Sequence, residues 1–224
     1  SKCCHDIDFL LWLTRTRCHK LTSFGSLRWF HSANAPKGSA DRCIDCSVEN
    51  DCPFSAVKLY RERREWIANF DVPEGKTIDD VIEYQLHVGI YGRCVYHCDN
   101  DVVDHQIVSM EMESEVTINF SMDVFTLKDN RETHICLTEG EIDGDETTLR
   151  VKRFCGREET VYDFSDIAGT PFHAGADLAL MEDFIEAVRS SKKSLATAID
   201  VSVESHLICY EAERSRREER IIVF

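Results

Sequence analysis

Cys43, Cys46 and Cys52, followed at once by Pro53, form the sharpest chemical spacing in this chain. The pattern Cys-x2-Cys-x5-Cys gathers three thiols into one short stretch. Three thiolates so placed can share a tetrahedral metal. Zinc comes first, because it needs no redox partner; an iron–sulfur cluster, often marked by Cys-Pro, comes second. The fourth ligand is expected from His31, Cys18 or the Cys3-Cys4 pair. The rival reading is three reduced cysteines packed as small hydrophobes.

His5 is the candidate acid–base group. Helical spacing puts Asp8 on its face, and a histidine titrates near neutrality, as proton transfer requires. A packed or capping histidine is the alternative. His173-Ala174-Gly175-Ala176-Asp177 opens a helix. Asp177 is an N-cap by type, and the small residues admit a ligand; a tightly turned helix start explains them equally well. Cys94 and Cys98 bracket His97, with Asp99, Asp101, Asp104 and His105 beyond. That is either a second polar site or a strand end with an acidic turn. No G-x-G-x-x-G, Walker or G-x-S-x-G sequence occurs.

These residues need elements to hold them. Cys4, Ile7, Leu10 and Leu11 predict a helix ending near Thr14. Residues 21–30 read as a strand, 33–53 as a long cysteine-rich loop and 54–66 as a helix. Thr77 to Asp80 resembles a capping box opening a helix to about Val88. From Arg93 the period changes to two: 94–96, 105–113, 115–127, 132–138, 141–143 and 147–154 alternate like half-buried strands. Helices over 177–190 and 200–216 follow, then a short strand at 221–224. Helices, then strands, then helices predict an α+β domain over residues 1–224, with a large open, predominantly antiparallel sheet.

Composition narrows the function. Forty-one acidic against 26 basic residues give a net charge of −15. Such a surface argues against nucleic acid and anionic membranes as partners. The basic run from Arg214 to Arg220 contains Glu218 and Glu219 and reads as a solvated helix face. No apolar run approaches a membrane span. Eleven cysteines is an odd number, so one chain cannot pair them all. Reduced thiols and a cytoplasmic location are expected. A start at Ser1 without methionine suggests a processed or excised piece.

Several stretches together resemble one family, the Gfo/Idh/MocA oxidoreductases. Residues 2–13 resemble the helix that carries their catalytic histidine. Thr138-Glu139-Gly140-Glu141-Ile142 resembles their G-T-x-G-x-I strand turn. Residues 173–188 resemble their H-G-G-G-D segment, and residues 202–206 the helix that follows. The loop from Arg42 to Pro53 looks like an insertion of one bacterial branch. The resemblance implies the C-terminal, substrate-binding domain only, with the NAD- or NADP-binding Rossmann domain and its catalytic lysine elsewhere. It implies a catalytic role for His5, although Ser1 stands where the family's D-x-x-x-H motif has aspartate. It places His173 and Asp177 near substrate hydroxyls. It further implies a sugar, cyclitol or related polyol as substrate, no activity for this chain alone, and a homodimer or homotetramer formed through the sheet. Two rivals stand beside it: an NAD-dependent glycoside hydrolase of the same family, and a non-catalytic dimeric scaffold or sensor.

Overall fold

The computed structural model describes residues 3–64, 67, 70–128, 130–156, 158–168, 175–190 and 199–224, the side chains of 168, 200 and 201 excepted. The chain divides into two compact units, residues 18–124 with 212–224, and residues 1–17 with 125–211. The α+β class holds, and all described strand pairings are antiparallel. The described strands group as two four-stranded sheets, one in each unit.

In the first unit the sheet is built on β1 (Cys18–Ser26) and β2 (His105–Met112), with β3 (Thr117–Asp123) outside β2 and β8 (Ile222–Val223) outside β1. Period-two alternation buries Val108, Met110 and Met112 on one face of β2, opposite the buried Leu21 and Ser23 of β1. The expected strand at 21–30 is displaced to 18–26. Beyond Ser26 the chain turns away because the Arg28 and Trp29 N–H groups donate to the Asp104 carboxylate, not to a neighbouring strand.

Two helices complete this unit. The helix α2 (Ala56–Glu62) is capped by Ser55, whose hydroxyl accepts from the Lys58 N–H at 3.2 Å. It is shorter than expected, and Trp66 lies outside the described residues. The helix α3 (Ile78–His87) opens on the expected box: Asp80 N–H donates to the Thr77 hydroxyl at 3.2 Å, and Thr77 N–H donates to Asp80 at 2.8 Å. The Thr77 N–H and hydroxyl, both donating to the Asp80 carboxylate, hold it below its ordinary range. Replacing Thr77 by alanine should cost about 1 kcal/mol, the usual value of a helix cap. A urea midpoint followed by circular dichroism checks it; an unchanged midpoint would show that α3 does not depend on its cap. A small core of Cys43, Ala56, Tyr60, Ile67, Ile82 and Leu86 joins both helices to the cysteine loop.

Residues 94–96 are not a strand. The Cys94 carbonyl accepts from the N–H groups of His97 and Cys98, which closes a turn.

In the second unit α1 (Cys4–Thr14) buries Cys4, Ile7 and Leu11 and stops at Arg15, whose left-handed φ of 53° ends the helix. Then comes a meander of β4 (Glu132–Cys136), β5 (Gly140–Asp145), β6 (Thr148–Arg153) and β7 (Glu159–Asp163). The alternation read across Gly144 is a hairpin. Asp145 accepts from the N–H groups of Thr147 and Thr148, both at 2.8 Å, and turns the chain. The strand β7 was not expected from the sequence because all five of its residues are exposed, which leaves no alternation to read. The helices α4 (Ser165–Ala168), α5 (Ala176–Ser190) and α6 (Ile199–Glu218) follow. The last part of α6, from Ala212, belongs to the first unit; there Glu213 pairs with half-buried Arg216 at 2.7 Å and exposed Arg217 at 2.6 Å, so the basic run is only in part the solvated face expected. Among the described residues no helix is long and apolar enough to cross a membrane.

Candidate functional site

The cysteine loop has little regular structure of its own: three short 3-10 turns at Ser32–Asn34, Cys43–Asp45 and Glu49–Asp51. Its cysteines are set by local backbone bonds. Cys46 N–H donates to the Cys43 carbonyl at 3.2 Å, and Cys52 N–H donates to the Glu49 carbonyl at 3.1 Å. Arg42 anchors the loop, its guanidinium donating to the carbonyls of Leu86 at 2.9 Å, Gln85 at 2.8 Å and Gly89 at 2.6 Å. That clamp requires Gly92, where a Cβ would stand 2.1 Å from the Gln85 oxygen and 2.7 Å from the Arg42 side chain.

The same strap delivers a fourth cysteine. Arg42 and Arg93 form an isolated antiparallel bridge, and the Cys94 N–H donates to the Asp41 carbonyl at 2.8 Å. Cys43, Cys46, Cys52 and Cys94 thereby line one cavity of about 10 Å³, with Phe54 and Tyr96 among its walls. None of the fourth ligands expected from the sequence takes that place. His31 bonds the Arg28 carbonyl at 2.8 Å, and Cys18 is buried in β1. Cys3 and Cys4 lie in the other unit, beside Cys209. Among the described residues no group of three or more His, Cys, Asp or Glu side chains stands where it could hold a metal ion. All eleven cysteines are free thiols.

His5 lies in the first turn of α1, exposed to solvent. Its neighbours are held. Asp6 is paired with Arg131, which also bonds Glu146 at 2.5 Å. Burial pushes the Cys209 thiol up to about 11, and the thiols of Cys3 and Cys4 add to the shift. Asp8 turns inward: its Oδ1 is buried, with no hydrogen bond from any described residue. Asp177 is exposed and sits inside the first turn of α5, one residue past the helix start, so it favours the helix dipole and is not the N-cap. His173 lies outside the described residues.

A further polar cluster was not read from the sequence. On β4 and β5, His134 Nδ1 meets Asp143 Oδ1 at 2.6 Å. Lys152 from β6 reaches Asp143 Oδ2 at 2.9 Å, and the Cys136 sulfur stands 3.3 Å from His134 Nε2. The lysine ammonium bonded to Asp143, then His134, holds that carboxyl below its ordinary range. A depression of about 280 Å³ opens beside it, lined by Glu132, Asp145 and Arg150 among others. The signal was the pairing register, which sets His134 opposite Asp143 and appears only once the hairpin is formed.

The sequence matches no established protein-family profile and no curated protein. Solved structures do match. An oxidoreductase from Agrobacterium radiobacter in complex with NAD+, L-tartaric acid and magnesium is 12% identical, with a TM-score of 0.54 over 98% of this chain and 47% of its own. An aldose-aldose oxidoreductase from Caulobacter crescentus, complexed with glycerol, is 10% identical, with a TM-score of 0.54 over 99% of this chain and 45% of its own. The fold is that of the Gfo/Idh/MocA-type oxidoreductases. A super-repressor mutant of Gal80p from Saccharomyces cerevisiae has the same fold at 11% identity, with a TM-score of 0.58 over 100% of this chain and 48% of its own. The chain thus spans about half the length of the Gfo/Idh/MocA-type structures it matches, as one domain of such a protein would.

Proposed function

We propose that this chain is the substrate-binding part of an NAD(P)-dependent oxidoreductase that acts on a sugar, cyclitol or related polyol. The observation that carries the reading is the shared fold over nearly the whole chain. The exposed His5 in the first turn of α1 supplies the matching chemistry. The described residues do not fit a dinucleotide. No G-x-G-x-x-G sequence is present, and among the described residues no glycine-rich turn carries a strand into a helix. No residue of this chain is therefore assigned to the cofactor. Its own share is to hold the polyol and, through His5, to take the proton of the hydroxyl being oxidised. His173 and Asp177 are the proposed substrate-hydroxyl contacts. Free thiols throughout fit a reducing, cytoplasmic setting, and the β4–β7 sheet is the proposed homo-oligomer contact.

A second reading has its own support. Gal80p, named a transcriptional regulator in the Kluyveromyces lactis structure, has the same fold, so a non-catalytic sensor domain is the alternative. One experiment separates them. The chain is assayed against inositols and aldoses with NAD and with NADP, alone and joined to a nicotinamide-dinucleotide domain. Turnover only in the joined form is expected. Polyol binding without turnover in either form would overturn the enzyme reading in favour of the sensor. Turnover by the chain alone would overturn the division of labour. Release of the aglycone from an aryl glycoside by the joined form would move the assignment to hydrolysis.

A further inference from the structure

The cavity between the cysteine loop and the Cys94 turn has the chemistry of a metal centre. It holds four thiols from two segments of chain, joined by the bridge at Arg42 and Arg93. Cys43 and Cys94 are buried, at 7% and 6% exposure, and Cys46 and Cys52 are half-buried. A volume of about 10 Å³ is on the order of one water-sized sphere. That suits a single ion and is too small for an iron–sulfur cluster.

We propose that Cys43, Cys46, Cys52 and Cys94 bind one thiophilic divalent cation, zinc, as a four-thiolate structural centre that fixes the loop. Four S–H bonds break, four sulfur–metal bonds form and four protons leave, with no change of oxidation state. Binding requires the sulfurs to close on the ion by rotation about each Cα–Cβ bond. This assignment is independent of the oxidoreductase reading.

The test measures zinc per chain by elemental mass spectrometry, then cobalt(II) binding by absorption. One zinc per chain is expected, with the intense visible bands and thiolate charge-transfer absorption of tetrahedral cobalt. Cys94→Ser should weaken cobalt binding by about tenfold or more, since loss of even an outer contact at a metal site costs about 10- to 100-fold. Cys98→Ser should change nothing, because Cys98 bonds the Val95 carbonyl and does not line the cavity. If Cys94→Ser fails to fold, Cys46→Ser at the half-buried position gives the same reading. The proposal is overturned by a chain that binds neither metal, by a cobalt spectrum and affinity unchanged in the serine variants, or by iron with acid-labile sulfide in the purified chain. A disulfide among these four cysteines under reducing purification would overturn it as well.

Discussion

Replacing His5 by alanine is expected to lower kcat of the cofactor-competent protein by about 100- to 10,000-fold, the usual contribution of a positioned acid or base. The fold should not suffer. The buried face of α1 is Cys4, Ile7 and Leu11, and His5 points away from it into solvent. Alanine is also the better helix former. The Arg131 pairing that holds this end of α1 runs through Asp6 and is left intact. The loss should therefore fall on kcat while KM and the circular dichroism spectrum stay close to wild type. The pH profile adds a readout that mere packing would not move: the limb of kcat/KM assigned to deprotonation of the base should vanish in the variant. A kcat within about twofold of wild type would remove His5 from the chemistry. The sensor reading would then gain, since a binding domain needs no base.

What could be read in the sequence was local. The Thr77–Asp80 box was legible because both partners lie within one helical turn. The strands β2 to β4 were legible because side chains alternate between two environments. What escaped was set by contacts between distant segments. Cys94 looked like part of a strand, and its place beside Cys43 comes from an N–H bond to Asp41 that no periodicity encodes. The spacing of Cys43, Cys46 and Cys52 left a fourth partner open. The cysteine that shares their cavity, Cys94, is brought there by the Arg42–Arg93 bridge, whereas His31, Cys18 and Cys3-Cys4 were candidates by residue type alone. Asp8 illustrates the same limit. Helical spacing put it on the face of His5, yet its Oδ1 is buried without a hydrogen bond from the described residues.

Asp104 was read in the sequence as part of either a second polar site or an acidic turn, yet it should carry one of the larger stability effects in this chain. Its residue is 2% exposed at the start of β2. Its Oδ2 accepts from the N–H groups of Arg28 at 2.9 Å and Trp29 at 2.6 Å, and its Oδ1 meets His105 Nδ1 at 2.7 Å. Burial alone would raise this carboxyl, but the Trp29, His105 and Arg28 donors outweigh burial and bring it down to about 2. The carboxylate thus turns the chain from β1 toward the cysteine loop and fixes Trp29, whose indole N–H donates to Tyr96 at 3.2 Å beside the four-cysteine cavity. The folded state holds the charged form more strongly than the unfolded chain does. Its contribution is therefore complete above the ordinary carboxylate range near 4 and is lost as pH falls toward 2. That depression corresponds to about 2 kcal/mol. Asp104→Asn keeps the shape, removes the charge and turns an amide toward one set of donors, so at neutral pH it should cost about 2–3 kcal/mol. Urea midpoints of both proteins from pH 7 down to about 3 test this, with the gap expected to narrow steadily below pH 4. A deficit that stays constant with pH would assign the effect to packing and leave the carboxylate's charge without a structural role.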